Sequence, residues 1–189
     1  MRTPKLGKNI ERILFTEAEI RAGVDRVAGE VTTYFRDDTC TVVSVLKGGC
    51  IFTADLVRRL SFPLSLTFAA VSSYRDGTAA GTLSLDYFPA EQEIQGRRIL
   101  LVDDILDTGQ TLEFLRKKLL AQGARKVKTC VLLDKAARRA VNSEADLCDF
   151  VIEDVFVVGY GLDFVGRYRN LRYLATLRPE GYAQAVHTE

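Results

Sequence analysis

Three carboxylates stand close together in the segment LLVDDILDTGQTL, residues 100–112: Asp103, Asp104 and Asp107. In a dry site they would repel one another, so their spacing points to work they could share: binding ribose hydroxyls, binding a cation or moving a proton. Thr108, Gly109, Gln110 and Thr111 follow, small and hydroxylated residues at the expected entry to a helix. Backbone N–H groups at a helix N-terminus bind phosphate, and threonine hydroxyls add donors. Acids for a sugar diol and amides for a phosphate make the segment a candidate ribose-phosphate site. The plainer alternative is an exposed acidic turn in which Thr108 or Thr111 caps the helix. There is no Walker-type phosphate loop, and Gly159-Tyr160-Gly161 is followed by Phe164 where a dinucleotide fingerprint needs a third glycine.

These residues must be held by the elements around them. Ile99-Leu100-Leu101-Val102 is a continuous apolar run, as in a central parallel strand covered on both faces, and it is expected to stop at Asp103-Asp104. In open parallel sheets ligands bind beyond the carboxyl ends of the strands, which is where those acids would lie. Leu112, Leu115 and Leu119 mark the following helix, ending near Gly123. Earlier, Thr16 and Glu19 form a capping-box pattern, and Ile20, Val24, Val27 and Val31 give one apolar helix face. The run from Thr41 to Leu46 reads as a buried strand that turns tightly at Lys47-Gly48-Gly49, with Phe52, Leu56 and Leu60 as the stripe of a second helix. Leu64, Leu66, Phe68 and Ala70 suggest a strand, the segment from Ser72 to Thr82 a mobile loop, and Leu83, Leu85 and Tyr87 a short strand. Val127, Thr129, Val131 and Leu133 make another strand, and two apolar runs follow at 150–152 and 156–158. Strands alternating with helices predict an α/β fold with a central, mostly parallel sheet. The expectation is a single domain over residues 1–189, with a core at about 15–140 and C-terminal strands and hood elements at about 141–180.

A formal net charge of +1 argues against a general nucleic-acid binder. The basic pairs Arg97-Arg98, Lys117-Lys118 and Arg138-Arg139 each read as a solvated face. Cys40, Cys50, Cys130 and Cys148 show no metal-ligand spacing, and the one histidine, His187, lies near the end of the sequence, which disfavours histidine-dependent triads and histidine-ligated metals. With no secretory h-region and no apolar stretch of membrane-spanning length, the expected setting is the reducing cytoplasm, without membrane partners.

The acidic segment resembles the motif that binds phosphoribosyl pyrophosphate (PRPP) in type I phosphoribosyltransferases, and DTGQT resembles their phosphate loop. Further matches follow in register. LKGG at 46–49 is similar to the pyrophosphate loop and SYRDGTAAG at 73–81 to the flexible active-site loop. The lysine of LLDK at 132–135 is similar to a purine-binding lysine, FVVGYGLD at 156–163 to the purine clamp, and Arg169 to a pyrophosphate-binding arginine. The matches run roughly from 40 to 178 in the order found in hypoxanthine-guanine phosphoribosyltransferases.

This resemblance implies a type I phosphoribosyltransferase fold with a small hood, and a Mg²⁺-dependent transfer of the 5-phosphoribosyl group from PRPP to hypoxanthine or guanine. By the same resemblance, Asp107 is the general acid/base near N7 of the purine. PRPP and its phosphates engage Lys47, Gly48, Ser73, Tyr74, Asp103, Asp104, Asp107, Thr108, Gly109, Gln110, Thr111 and Arg169. The purine meets Lys135, Phe156 and the backbones of Val157 and Asp163. Magnesium falls to Asp103, Asp104 and, through water, Asp163. The Leu46–Lys47 peptide is expected to switch to cis. Two positions depart from the family: Asp103 stands where glutamate is commoner, shifting its expected ribose contact toward a metal- or water-mediated one, and Gln110 stands where lysine or other residues occur. The family further implies a homodimer or homotetramer. The competing class is an RNA-binding regulator of pyrimidine genes on the same fold, with vestigial or uracil-directed activity; such relatives typically lack the acid before Thr-Gly. A non-catalytic nucleotide sensor would not require Asp107 and Lys135 together.

Overall fold

Helix α1 (Glu17–Phe35) starts at a reciprocal cap. The Thr16 hydroxyl accepts from the Glu19 N–H at 3.3 Å, and the Glu19 carboxylate accepts from the Thr16 N–H at 2.8 Å. Ile20, Val24, Val27 and Val31 are all buried on the face their spacing defines. The computed structural model describes residues 9–36, 39–74 and 82–179.

The main sheet has six strands in the order β4-β3-β2-β5-β6-β7. They are β2 (Cys40–Leu46), β3 (Leu64–Tyr74), β4 (Thr82–Tyr87), β5 (Arg98–Leu106), β6 (Lys126–Asp134) and β7 (Leu147–Val151). All neighbours are parallel except β4, which returns antiparallel on β3. The period-two geometry of β5 sorts its side chains between two cores. Leu100 and Val102 pack with Val24 and Phe35 of α1 and with Phe52 and Leu56 of α2 (Gly49–Val57). Ile99 and Leu101 pack on the other face with Ile94 of the short helix α3 (Glu91–Ile94) and with Leu112, Leu115 and Leu119 of α4 (Gln110–Ala121). A second, antiparallel sheet has the order β1-β9-β8 and joins β1 (Ile10–Phe15), β8 (Val157–Val158) and β9 (Leu174–Leu177). Ile10, Val158, Tyr173, Ala175 and Leu177 form its own small core.

Several elements differ from the expected ones. Strand β5 does not stop at the acids; it runs on to Leu106, because β6 continues beside it, pairing Ile105 with Leu133 and Leu106 with Asp134. Residues 72–74 and 82, expected in a loop, belong to the β3–β4 ladder, where Ser73 pairs with Leu83 and Tyr74 with Thr82. The rest of the expected loop, 75–81, lies outside the described residues. Helix α2 ends at Val57, and Leu60 sits in the turn beyond it, its N–H donating to the Val57 carbonyl at 3.3 Å. The late run at Phe150 is an edge strand of the main sheet, whereas β8 joins the small sheet.

Candidate active site

The carboxyl ends of β2 and β5 open into a cavity of about 270 Å³. Leu46, Gly48, Asp103, Asp104, Asp107, Thr108, Gly109 and Thr111 line it, so one space collects the three acids, Gly48 and the Thr-Gly turn. The β2–α2 turn lies directly on the acidic end of β5. A β-carbon on Gly48 would fall 1.6 Å from Asp104 Oδ2, and one on Gly49 would fall 3.2 Å from the Asp103 Cα. The Leu46–Lys47 peptide is cis, and the Lys47 side chain is exposed.

Asp103 is buried, and its Oδ1 accepts from the Asp104 N–H at 2.9 Å. Burial pushes the Asp103 carboxyl well above the usual carboxylate range, and the charge of Asp104 pushes it further. Burial also raises Asp104, against the lowering effect of its hydrogen bonds and of the Arg169 charge. Two adjacent, desolvated carboxylates facing a cavity suit a cation or a pair of hydroxyls. Among the described residues, no group of three or more His, Cys, Asp or Glu side chains is arranged to hold a metal. A donor set of two carboxylates fits Mg²⁺, which keeps waters and takes further oxygens from a phosphate substrate.

Asp107 follows directly after β5. Its Oδ2 stands 3.8 Å from Lys135 Nζ and 3.6 Å from Arg138 Nη1, while its Oδ1 is buried with no hydrogen-bond partner among the described residues. Gly109, at φ 82°, turns the chain into α4. The helix cap is Gly109, without a side-chain bond, rather than a threonine; Thr108, one residue earlier, accepts from the Gln110 N–H at 3.4 Å. Gln110 is exposed and does not line the cavity.

Lys135 lies just past β6 and is buried, its Nζ donating to the Val155 carbonyl at 3.3 Å and standing 3.3 Å from Asp154 Oδ1. Phe156 stays 43% exposed, its ring meeting Phe164 edge-on with centroids 5.5 Å apart. Val157 is buried in β8 opposite Thr176. Asp163 accepts from the Gly166 N–H at 2.8 Å and pairs with Arg169 at 2.6 Å; Arg169 also donates to the Gly161 carbonyl at 2.6 Å. Lys135, Phe156, Val157, Asp163 and Arg169 therefore stand outside the cavity lining. Gly161, at φ 105°, carries this segment against the β2–α2 turn: a β-carbon there would lie 2.2 Å from the Gly48 carbonyl oxygen. Ser73 and Tyr74 are placed as strand residues, with their side chains outside the described part.

In two of the three basic pairs one arginine is exposed, Arg97 and Arg138, and the other is not a solvated face. Arg139 donates to the carbonyls of Leu106 and Asp107 at 3.0 and 2.8 Å and pairs with Asp134. Arg98 lies over the rings of Tyr34 and Phe35, 4.7 Å from each centroid. Lys117 fits the expectation, exposed beside Glu113 at 3.3 Å. Asp154 and Arg138 also stand beside the Asp107–Lys135 pair, Arg138 having been read only as surface charge and Asp154 not at all; nothing in local pattern separates them from ordinary surface charges.

The phosphoribosyl transferase domain family matches residues 13–165. The hypoxanthine-guanine phosphoribosyltransferase of Bacillus subtilis is 37% identical over 174 residues, which cover 92% of this chain and 97% of that protein. The bifunctional protein TilS/HprT of Listeria monocytogenes is 39% identical over 176 residues, and the match spans only 27% of its length. Among solved structures, the hypoxanthine phosphoribosyltransferase of Trypanosoma cruzi in complex with the product IMP is similar with a TM-score of 0.86. It is 37% identical, with 94% of this chain and 99% of that one covered. With a family match over most of its length and relatives matched nearly end to end, the chain belongs to the phosphoribosyltransferase family, in its hypoxanthine-guanine branch.

Proposed function

We propose that the chain transfers the 5-phosphoribosyl group of PRPP to hypoxanthine or guanine, yielding IMP or GMP and pyrophosphate, as a purine-salvage enzyme. The observation that carries this reading is the approach of Asp107 to Lys135, 3.8 Å apart where β5 and β6 end. A proton acceptor and a donor for a 6-oxo group then face the same base.

In this reading N9 attacks C1′ while the bond from C1′ to the pyrophosphate oxygen breaks. The proton on N7 passes to Asp107, which keeps N9 electron-rich as the new bond forms. Lys135 donates to the 6-oxo oxygen; adenine presents an amine there, itself a donor. Phe156, 43% exposed, would stack on the base, with the Val157 and Asp163 backbones meeting its edge. The amides and hydroxyls of residues 108–111 hold the 5′-phosphate, while Lys47, Gly48, Ser73, Tyr74 and Arg169 serve the pyrophosphate. Asp103 and Asp104 would hold Mg²⁺ or the ribose hydroxyls, and the ion would supply neutralisation of the leaving pyrophosphate. Asp163 would serve a second ion only through water, since Gly166 and Arg169 already engage its oxygens. A reducing, cytoplasmic setting is supported by four free cysteines, and among the described residues no helix is long and apolar enough to cross a membrane.

The test is a panel of radiolabelled bases with PRPP and magnesium. Hypoxanthine and guanine should turn over, with adenine and uracil slower by about 10² or more. Equal turnover of adenine would remove the basis for the assignment.

A further inference from the structure

The aim of the Asp107 carboxylate is not set by its own hydrogen bonds. Among the described residues its Oδ1 has no partner, and its Oδ2 meets only the distant charges of Arg138 at 3.6 Å and Lys135 at 3.8 Å. The backbone beneath it is gripped instead. Arg139 Nη1 donates to the Leu106 carbonyl at 3.0 Å and to the Asp107 carbonyl at 2.8 Å. Arg139 Nη2 is anchored on the Asp134 carboxylate at the end of β6. The next residue adds a third hold, the Ala140 N–H donating to the Thr108 carbonyl at 2.9 Å. Residues 139 and 140 thus reach three consecutive carbonyls, 106 to 108, at the turn that presents Asp107, and the Asp107 carbonyl is the one Arg139 holds without the backbone N–H of Lys135 that also meets Leu106. The Arg139 side chain is 16% exposed, and Gly109 makes room for it: a β-carbon at Gly109 would stand 3.2 Å from Arg139 Cδ.

We infer that Arg139 is a positioning residue for proton transfer at Asp107, a role that rests on the acid/base reading of that carboxylate. It touches neither substrate nor the reacting atoms; it fixes the main chain from which the acceptor is aimed. A planar guanidinium makes these bonds from two nitrogens held in a fixed fork, whereas an ammonium would have to make them from a single atom on a flexible stem. Arg139→Lys would keep the charge and its pairing with Asp134 while losing the double grip. A small misplacement of a catalytic group costs rate far more than it costs binding.

The experiment is a double-mutant cycle on turnover, with PRPP affinity measured by calorimetry and folding checked by thermal unfolding. Arg139→Lys should lower kcat by about 10- to 100-fold while leaving the PRPP Kd within about twofold. In an Asp107→Asn background the same change should alter kcat by less than about twofold, because there is no proton transfer left to misplace. Should Arg139→Lys fold poorly, Asp134→Ala removes the anchor with Arg139 still in place, and its loss of kcat should likewise vanish beside Asp107→Asn. Equal losses in both backgrounds would make Arg139 a merely structural residue and overturn the proposal. So would wild-type kcat in Arg139→Lys when Asp107→Asn is crippled. Wild-type kcat in Asp107→Asn itself would instead sink the acid/base assignment, and the positioning role with it.

Discussion

Replacing Gly161 by alanine should damage stability and the substrate site together, for two separable reasons. The residue stands at φ 105°, where a β-carbon crowds its own backbone, and that carbon would also fall 2.2 Å from the Gly48 carbonyl oxygen. The first effect costs about 1–2 kcal/mol. The second forces two main-chain segments apart by more than an ångström, an overpacking that costs about 1–3 kcal/mol more. Gly96 supplies the control, since it also has positive φ, 70°, but nothing lies within 4 Å of its missing β-carbon. In a chain of this size each kcal/mol moves Tm by about 2–4 °C, so Gly96→Ala should lower Tm by about 2–8 °C and Gly161→Ala by about 4–20 °C. Gly48 lines the cavity against Asp104, so a displaced turn should also weaken PRPP binding by about tenfold or more, a loss of about 1.4 kcal/mol or greater. Gly96→Ala should leave that affinity unchanged. Scanning calorimetry and titration calorimetry with PRPP and magnesium would measure both. A Gly161→Ala protein that melts with Gly96→Ala and binds PRPP as the parent does would refute the close-approach argument.

Three further outcomes are expected. Asp107→Asn should keep the fold and PRPP affinity but lower kcat by about 10² to 10⁴, equivalent to about 3–5.5 kcal/mol at the transition state, as measured at saturating substrates; retention of more than about a tenth of wild-type turnover would contradict proton transfer by this residue. Lys135→Ala removes a buried donor and should raise KM for hypoxanthine by about tenfold or more with the PRPP Kd nearly unchanged, so a parallel loss of both affinities would count against a purine-specific role. The third concerns Asp149, whose side chain is fully buried, with Oδ1 on Arg26 at 2.6 Å and Oδ2 unpartnered among the described residues. Burial pushes its carboxyl up to about 6, against the lowering charge of Arg26 and with a smaller upward push from Glu30. A raised folded value means that this group's stabilisation is complete below the unfolded pKa and is lost as pH rises through about 6. The stability of Asp149→Asn relative to the parent should therefore rise by about 2–3 kcal/mol between about pH 4 and about pH 8. Urea unfolding across that range would check it, and a flat difference would show that the carboxyl titrates normally.

Local chemistry made much of this molecule readable in advance. The Thr16–Glu19 cap, the buried stripe of α1 and the apolar runs of β2 and β5 each depend on neighbours a few residues away, and all appear where spacing puts them. The acids and the Thr-Gly turn converge on one cavity for the same reason. What escaped is held by distant partners. Strand β5 passes through two aspartates, residues that strands disfavour, because the neighbouring ladder of β6 outweighs local propensity. Arg139 looked like surface charge because its bonds reach back more than thirty residues, to carbonyls that any sequence could supply. Strand β1 carries no signal for the small sheet, since only β9, far along the chain, gives it a ladder.

That pairing also fixes an order of events during synthesis. Glu11 on β1 and Thr176 on β9 are 165 residues apart, and all six strands of the main sheet are made between them. At about 5–20 residues per second, β1 waits roughly 10–30 s for its partner after it has been made. The main sheet can assemble in that interval, so the sheet that carries Val157, beside Phe156, is the last part of the fold to close. Through the wait β1 is an edge without a ladder, open to pairing with other nascent chains. Glu11 and Arg12, adjacent and exposed on that strand, place charge where such pairing would begin, which disfavours it until β9 arrives.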